Sequence, residues 1–248
     1  MKVGLFIPCY VDQFYPYVGI ATLQFLEKQG VEVGYPLNQT CCGQPMANSG
    51  CEKDGNKTLD LFEKNFESYD YIVAPSGSCI LHLKHQFRHR GNSMEVKLLE
   101  LCEFITDVLQ VKTIEAQFPH RVGLHASCHG LRGLDLAKPS ELMITAYDKP
   151  RSLLEMVEGI ELIELNRKDE CCGFGGTFAV SEEAVSVRMG QDRIDDHLDK
   201  GVEVITGTDM SCLMHMEGLL RRQKSNVRVM HIAEILNGKN QEIILING

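Results

Sequence analysis

Four segments of the first half of the sequence recur, in the same order, in the second. "KVGLFIPCY" (2–10) returns as "RVGLHASCH" (121–129), and "VEVGYPLNQTCCGQ" (31–44) as "IELIELNRKDECCGF" (160–174). "YDYIVAPSGSCILH" (69–82) returns as "GVEVITGTDMSCLMH" (201–215), and "VKLLELCEFI" (96–105) as "VRVMHIAEIL" (227–236). Each opens on a short apolar or alternating run of the kind that forms a strand, and four matches in one order imply an internal duplication. Between them Val18, Ala21, Phe25 and Leu26 repeat at helical spacing with Gly30 as a stop, and "KTLDLFEKNFESY" (57–69) and "SEEAVSVRMGQDRIDDHL" (181–198) behave likewise. Strands alternating with helices of this length predict parallel sheets covered on both faces. The expected fold is therefore α/β: two duplicated Rossmann-like α/β halves with parallel sheets related by pseudo-two-fold symmetry. The join is expected near Glu115–His120, with residues 1–118 as the first cysteine-rich α/β domain and 119–248 as the second. In sheets of this kind ligands sit beyond the carboxyl ends of the strands, which is where the repeated cysteines fall.

Charge narrows the partners. Lys and Arg number 25 against 34 Asp and Glu, a formal net charge of −9, so the chain offers no overall cationic field to nucleic acid or anionic lipid. The one basic stretch, "LKHQFRHR" (83–90), reads as a solvated helix face. The opening "MKVGLFIPCYVDQFYPY" has too short an apolar run for a signal peptide or a membrane span, so a cytoplasmic location is expected, with peripheral association to a membrane complex left open. In that reducing compartment ten cysteines point to metal or redox chemistry rather than structural disulfides. The apolar "EIILING" (242–248) reads either as a last strand or as a contact for a partner.

The duplication also sorts the cysteines. Cys9 matches Cys128, Cys41 and Cys42 match Cys171 and Cys172, and Cys79 matches Cys212. Cys102 falls opposite Ala233, as a small buried hydrophobe would, and Cys51 has no counterpart. Packing alone gives no reason to keep cysteine over alanine or valine at every matched place. Four thiolates from separated strand ends suit an iron–sulfur cluster or a tetrahedral zinc ion. Adjacent thiols such as Cys41 and Cys42 are expected to point apart, which is awkward for one small ion and easier if they bind different irons of a larger cluster or if one binds and the other is spare. Gly43 and Gly173 are expected to let the backbone approach such a core without a Cβ in the way, and the amides of Gly175 and Gly176 to point toward its sulfides. A phosphate cradle at "CCGFGGTF" would lack the lysine of a P-loop, and no Gly-x-Gly-x-x-Gly follows a strand, so a nicotinamide or flavin belongs on another protein. A thiol–disulfide enzyme is the third chemical reading, weakened because adjacent cysteines close only a strained ring. His82 and His215 follow Cys79 and Cys212 by three residues, a spacing that serves either the cluster or helix packing, and His125 and His129 flank Cys128 without first-half counterparts.

The order Cys, Cys-Cys-Gly, Cys, stated once with "PSGSC" and again with "TDMSC", resembles the cysteine-rich CCG-domain proteins. These include the B subunit of heterodisulfide reductase and the iron–sulfur subunit of glycolate oxidase. The opening "FIPCYVDQFYP", "TCCGQP", "SCHGLR" and "CCGFGGTF" bring it nearest to the lactate-utilisation protein A group. The resemblance implies an iron–sulfur electron-transfer subunit of a three-protein complex that oxidises L-lactate to pyruvate. Such an oxidoreductase component is inactive alone and works with two other subunits, one an additional iron–sulfur protein. It implies one or two 4Fe–4S clusters, held by Cys9, Cys41, Cys42 and Cys79 and by Cys128, Cys171, Cys172 and Cys212, with no catalytic residue of its own. Zinc in one half is the alternative cofactor, and the alternative functions are a zinc-stabilised, non-redox assembly module of the same complex or a cysteine-based thiol–disulfide oxidoreductase. The fuller family pattern ends each half in Cys-x-x-Cys, whereas this chain has Ser76 and Asp209 three residues before Cys79 and Cys212. That departure removes the fifth cysteine of the heterodisulfide reductase type and leaves open whether Ser76 or Asp209 ligates through oxygen.

Overall fold

A computed structural model describes residues 1–238, so "EIILING" lies outside the described residues. The first half runs β1 (Lys2–Leu5), α1 (Cys9–Phe14), α2 (Pro16–Lys28), β2 (Glu32–Gly34), α3 (Gln44–Asn48), α4 (Asn56–Phe66), β3 (Tyr71–Ala74), α5 (Gly77–His89), β4 (Leu98–Glu100) and α6 (Leu101–Glu103). The second runs β5 (Arg121–His125), α7 (Lys149–Leu154), β6 (Glu161–Leu162), α8 (Phe178–Ser181), α9 (Glu183–Asp199), β7 (Val204–Gly207), α10 (Met210–Arg222), β8 (Arg228–His231) and α11 (Ile232–Asn237). The strands form two four-stranded sheets in the orders β2-β1-β3-β4 and β6-β5-β7-β8, every pairing parallel. This is the expected α/β architecture of two similar halves. The registers also correspond, with Val3 opposite Val33 and Tyr71, and Val122 opposite Leu162 and Val204.

The central strands are buried on both faces because helices cover them. Val3, Leu5, Ile72 and Val73 are at most 1% exposed, as are Val122, Val204 and Ile205. In α2 proline occupies the first turn, where its missing N–H costs nothing, and Val18, Ala21, Thr22, Phe25 and Leu26 form one buried stripe. The alternation of "IELIEL" promised a longer β6 than the two residues observed. Among the described residues this edge strand pairs only with β5, and after Ile163 N–H bonds Val122 O (2.9 Å) the chain leaves the sheet. The basic stretch lies on α5 and its charges are paired within the chain, Arg88 with Glu95 (2.8 Å) and Arg90 with Asp60 (2.7 Å). Among the described residues no helix is long and apolar enough to cross a membrane.

The last helix of each half packs on the other half: α11 against α2, and α6 against α7. Asn237 fixes one of these contacts, its Nδ2 donating to Gln24 Oε1 (2.9 Å) while its carbonyl accepts from Lys28 Nζ (2.5 Å). The apolar core runs through this crossing, from Val18, Phe25 and Leu26 to Ile232, Ile235 and Leu236. Both crossing helices start with a reciprocal cap, Glu100 with Glu103 and His231 with Glu234. Burial pushes Glu234 up from 4.5 to about 7. A carboxyl raised in the folded state contributes stability in full below its unfolded value and loses it as pH rises through the folded value. Glu234→Gln keeps the oxygen that accepts from His231 N–H (2.8 Å) and removes the ionisation. It should therefore flatten the fall in melting temperature between pH 4.5 and about 7, read by thermal denaturation across that range.

Candidate metal centre

Each half delivers its cysteines from the carboxyl ends of its strands. Cys9 opens α1 just past β1, Cys41 and Cys42 lie in the irregular loop between β2 and α3, and Cys79 is in the first turn of α5. Cys128, Cys171, Cys172 and Cys212 repeat this placement beyond β5, beyond β6 and in the first turn of α10. The Cys-Cys-Gly loops turn on glycines in the left-handed region, Gly43 at φ 94° and Gly173 at φ 84°. A Cβ on Gly173 would stand 2.6 Å from Met189 Cβ and 2.7 Å from Ser186 O, and one on Gly43 would stand 3.0 Å from Thr58 Oγ1. The expected reason for these glycines is thus corrected. They serve the turn and its seat against α4 and α9, not an open approach to the cavity.

The thiols gather into two chains of contacts. Cys9 Sγ lies 3.8 Å from Cys41 Sγ and Cys42 Sγ 3.4 Å from Cys79 Sγ, while Cys41 also touches Cys42. The second half repeats the series Cys128, Cys171, Cys172, Cys212. The expectation that adjacent thiols diverge is not met, because these pairs sit in an irregular loop folded back by its glycine rather than in an extended strand. Cys42, Cys79, Cys172 and Cys212 are buried and the other four half-buried. All eight line one cavity of about 390 Å³, together with Tyr10, Phe174, His125 and His129. Cys102 is fully buried in the core and Cys51 is exposed, and neither reaches it.

Within each set the thiols shift one another in opposite directions. Hydrogen bonds from Cys42 and Cys9 hold Cys41 down to about 2, and hydrogen bonds from Cys128 and Cys172 hold Cys171 there too. The N–H groups of Gly43 and Gly173 add donors at 3.5 and 3.3 Å. Cys9, Cys42, Cys128 and Cys172 are pushed up, first by holding a proton toward the ionised neighbour and then by burial. Each set therefore favours ionisation at Cys41 or Cys171 over its neighbours. A bound cationic core would release the remaining protons. Soft sulfur donors of this number fit an iron–sulfur cluster or zinc.

The residues three before Cys79 and Cys212 line the cavity too, and both also serve as helix caps. Ser76 and Asp209 are the N-caps of α5 and α10 and pair with each other in an antiparallel bridge, so equivalent residues meet where the halves join. Asp209 Oδ1 accepts from Ser211 N (3.1 Å) and Oγ (2.7 Å), and Oδ2 accepts from Ser78 N of the other half (2.7 Å). Asp209→Ala removes a cap and a charge-assisted bond between halves, an expected loss of about 2–3 kcal/mol in denaturant unfolding of the metal-free chain. His82 and His215 do not line the cavity; His215 Nε2 lies 3.3 Å from Ser186 O, whose Oγ donates to Gly173 O (2.8 Å). Their place is behind the Cys-Cys-Gly loop, as packing and support. Tyr10, Asn48, Phe174 and Met210 line the cavity without having been singled out in the sequence, where only their adjacency to cysteines or cap residues marks them.

A family model described as "Cysteine-rich domain" (CCG) matches residues 3–84 and again 122–217. The lactate utilization protein A of an Exiguobacterium species is 42% identical over 247 residues, covering 95% of this chain and 97% of that protein. That of Bacillus subtilis is 39% identical over 248 residues, covering 96% and 100%. A crystal structure of a hypothetical protein from Helicobacter pylori superposes with a TM-score of 0.65 at 11% identity, over 96% of this chain, which spans 49% of that one; this likeness is one of fold. With both halves matched and relatives aligned over nearly their full length, the chain belongs to the cysteine-rich CCG-domain family.

Proposed function

We propose that this chain is an iron–sulfur electron-transfer subunit in lactate oxidation. Cys9, Cys41, Cys42 and Cys79 would hold one 4Fe–4S cluster and Cys128, Cys171, Cys172 and Cys212 another. The observation that carries the reading is that both thiol sets open onto one cavity of about 390 Å³. Two separate structural ions have no need of a shared chamber, whereas two redox centres must lie close to exchange electrons. The name of the relatives points to lactate utilisation, and the resemblance to iron–sulfur subunits points to the cofactor. Oxidation of L-lactate to pyruvate releases two electrons and two protons; 4Fe–4S clusters are one-electron carriers, so a pair matches that stoichiometry. The chain itself contributes sulfur ligands, the burial of Cys42, Cys79, Cys172 and Cys212, and backbone donors at the Cys-Cys-Gly turns. Lactate chemistry, hydride transfer included, is assigned to the partner proteins of a multi-protein system.

Zinc is the second reading, and the thiol spacing favours it. Sulfurs on a tetrahedral zinc ion stand about 3.8 Å apart, from a Zn–S distance of about 2.3 Å, and the paired thiols here lie 3.4 and 3.8 Å apart. The two readings separate in one experiment. Anaerobically purified protein mixed with its two partner proteins should be brown and should bleach on addition of L-lactate. Colourless protein with stoichiometric zinc would make it a structural module instead.

A further inference from the structure

The two halves differ sharply in what lies beside their buried thiols. In the first, Phe6, two residues past Gly4 of β1, packs on Phe62 and Phe66 of α4, with ring centroids 5.1 and 6.0 Å away, and Phe62 stacks on Phe66 at 4.6 Å. Cys42 and Cys79 belong to the same apolar cluster. In the second half the residue two past Gly123 of β5 is His125. Where Phe66 closes over Gly4, His197 of α9 closes over Gly123, and one turn earlier Phe62 is answered by Arg193. Three phenylalanines in the first half are answered by two histidines and an arginine in equivalent places.

These three side chains are as buried as the rings they replace, His125 at 1% exposure and Arg193 and His197 at 0%. Both ring nitrogens of each histidine, and Nε and Nη2 of Arg193, have no hydrogen-bond partner among the described residues. Asp196 takes up only Nη1, at 3.2 Å. Burying unpartnered donors costs about 1–3 kcal/mol each, and the first half shows that hydrocarbon fills the same space. Packing therefore does not account for the exchange. What it does accomplish is visible at the cavity, where a ring nitrogen of His125 and the sulfurs of Cys172 and Cys212 all lie within 4.8 Å of one another. His125 and His197 bring ring nitrogens, and Arg193 a guanidinium behind them, to places where the first half has only aromatic carbon.

We infer that the second thiol set holds its centre at a higher reduction potential than the first, because His125, backed by Arg193 and His197, lines the cavity beside it where the first set has only the aromatic cluster of Phe6 packed behind its buried thiols. This rests on the iron–sulfur reading. Reduction adds negative charge to a cluster, and N–H donors or cations near its sulfurs favour that charge while an aromatic wall does not. His125 is thus a tuning residue for one centre only, a distinction that the near-symmetric ligand sets conceal.

The test is a potentiometric titration of full-length, cluster-loaded protein, followed by visible absorption and low-temperature EPR. Cys172→Ser isolates the first centre and Cys42→Ser the second. The second should reduce at the higher potential. His125→Phe in the Cys42→Ser background should lower its midpoint toward that of the first centre, and in the Cys172→Ser background should move nothing. Should His125→Phe strand Arg193 and fail to fold, the variant H125F/R193F/D196N/H197F, which carries the first half's residues Phe6, Phe62, Asn65 and Phe66 and leaves no buried charge unpaired, should give the same downward shift. Equal midpoints in the two single-centre proteins, or a midpoint unmoved by both phenylalanine variants, would overturn the inference and leave the iron–sulfur reading intact. Wild-type protein without iron and sulfide would overturn both.

Discussion

Cys42→Ser and Cys172→Ser should each cut the iron and acid-labile sulfide bound per chain by about half. Both thiols are buried, at 3% and 2% exposure, and both sit mid-series, in contact with the adjacent cysteine and with Cys79 or Cys212. Serine keeps the size of the side chain but presents a harder oxygen that seldom ionises, so the affected set is left with three soft ligands. The other set is built from different strands and keeps all four. Cys51→Ser and Cys102→Ala are the controls, the latter installing the residue that Ala233 already represents in the other half, and neither should change the iron content. If either mid-series substitution emptied both halves, the sets would not be independent sites.

Asp196→Ala should destabilise the chain by about 3–5 kcal/mol, the cost of stranding a buried charge. Asp196 is 3% exposed and ion-paired with the wholly buried Arg193, and its oxygens also accept from the backbone N–H of Asn166 (3.1 Å) and Arg167 (3.0 Å). In a domain of this size the expected fall in melting temperature is about 10 °C. Arg193→Met, which removes the charge and keeps the bulk, should cost less. Burial works to raise the Asp196 carboxyl, but those backbone donors and the guanidinium hold it below its ordinary 3.8. A depressed carboxyl gives stability above its unfolded value and loses it as pH falls through the folded one. The penalty of Asp196→Ala should therefore shrink below pH 3.8 in calorimetry.

The sheets were legible because the duplication displayed each buried strand twice, and a parallel strand covered on both faces announces itself as an apolar run. The matched cysteines were legible for the same reason, and all line the cavity. What the sequence concealed is mostly what depends on contacts between halves. Nothing local in "LCE" or "IAEILN" says that α6 and α11 cross to the opposite half, since their apolar faces would suit either. Ser76 and Asp209, read in sequence as missing cysteines, turn out to be helix caps that meet each other, a role set by the three-dimensional pairing of equivalent residues. Glu161 and Leu162 show the converse error, where alternation promised a full strand but an edge position cut it short. His125 could be noticed beside Cys128, yet only the burial of Arg193 and His197, far along the chain, makes it one of a group.

The most direct measurement is the content of iron, acid-labile sulfide and zinc in protein purified without oxygen. Iron and sulfide in near-equal amounts, with negligible zinc and visible absorption lost on adding dithionite, is the result expected of thiol sets that carry electrons across a shared cavity. Zinc at one or two ions per chain, with neither sulfide nor colour, would contradict it.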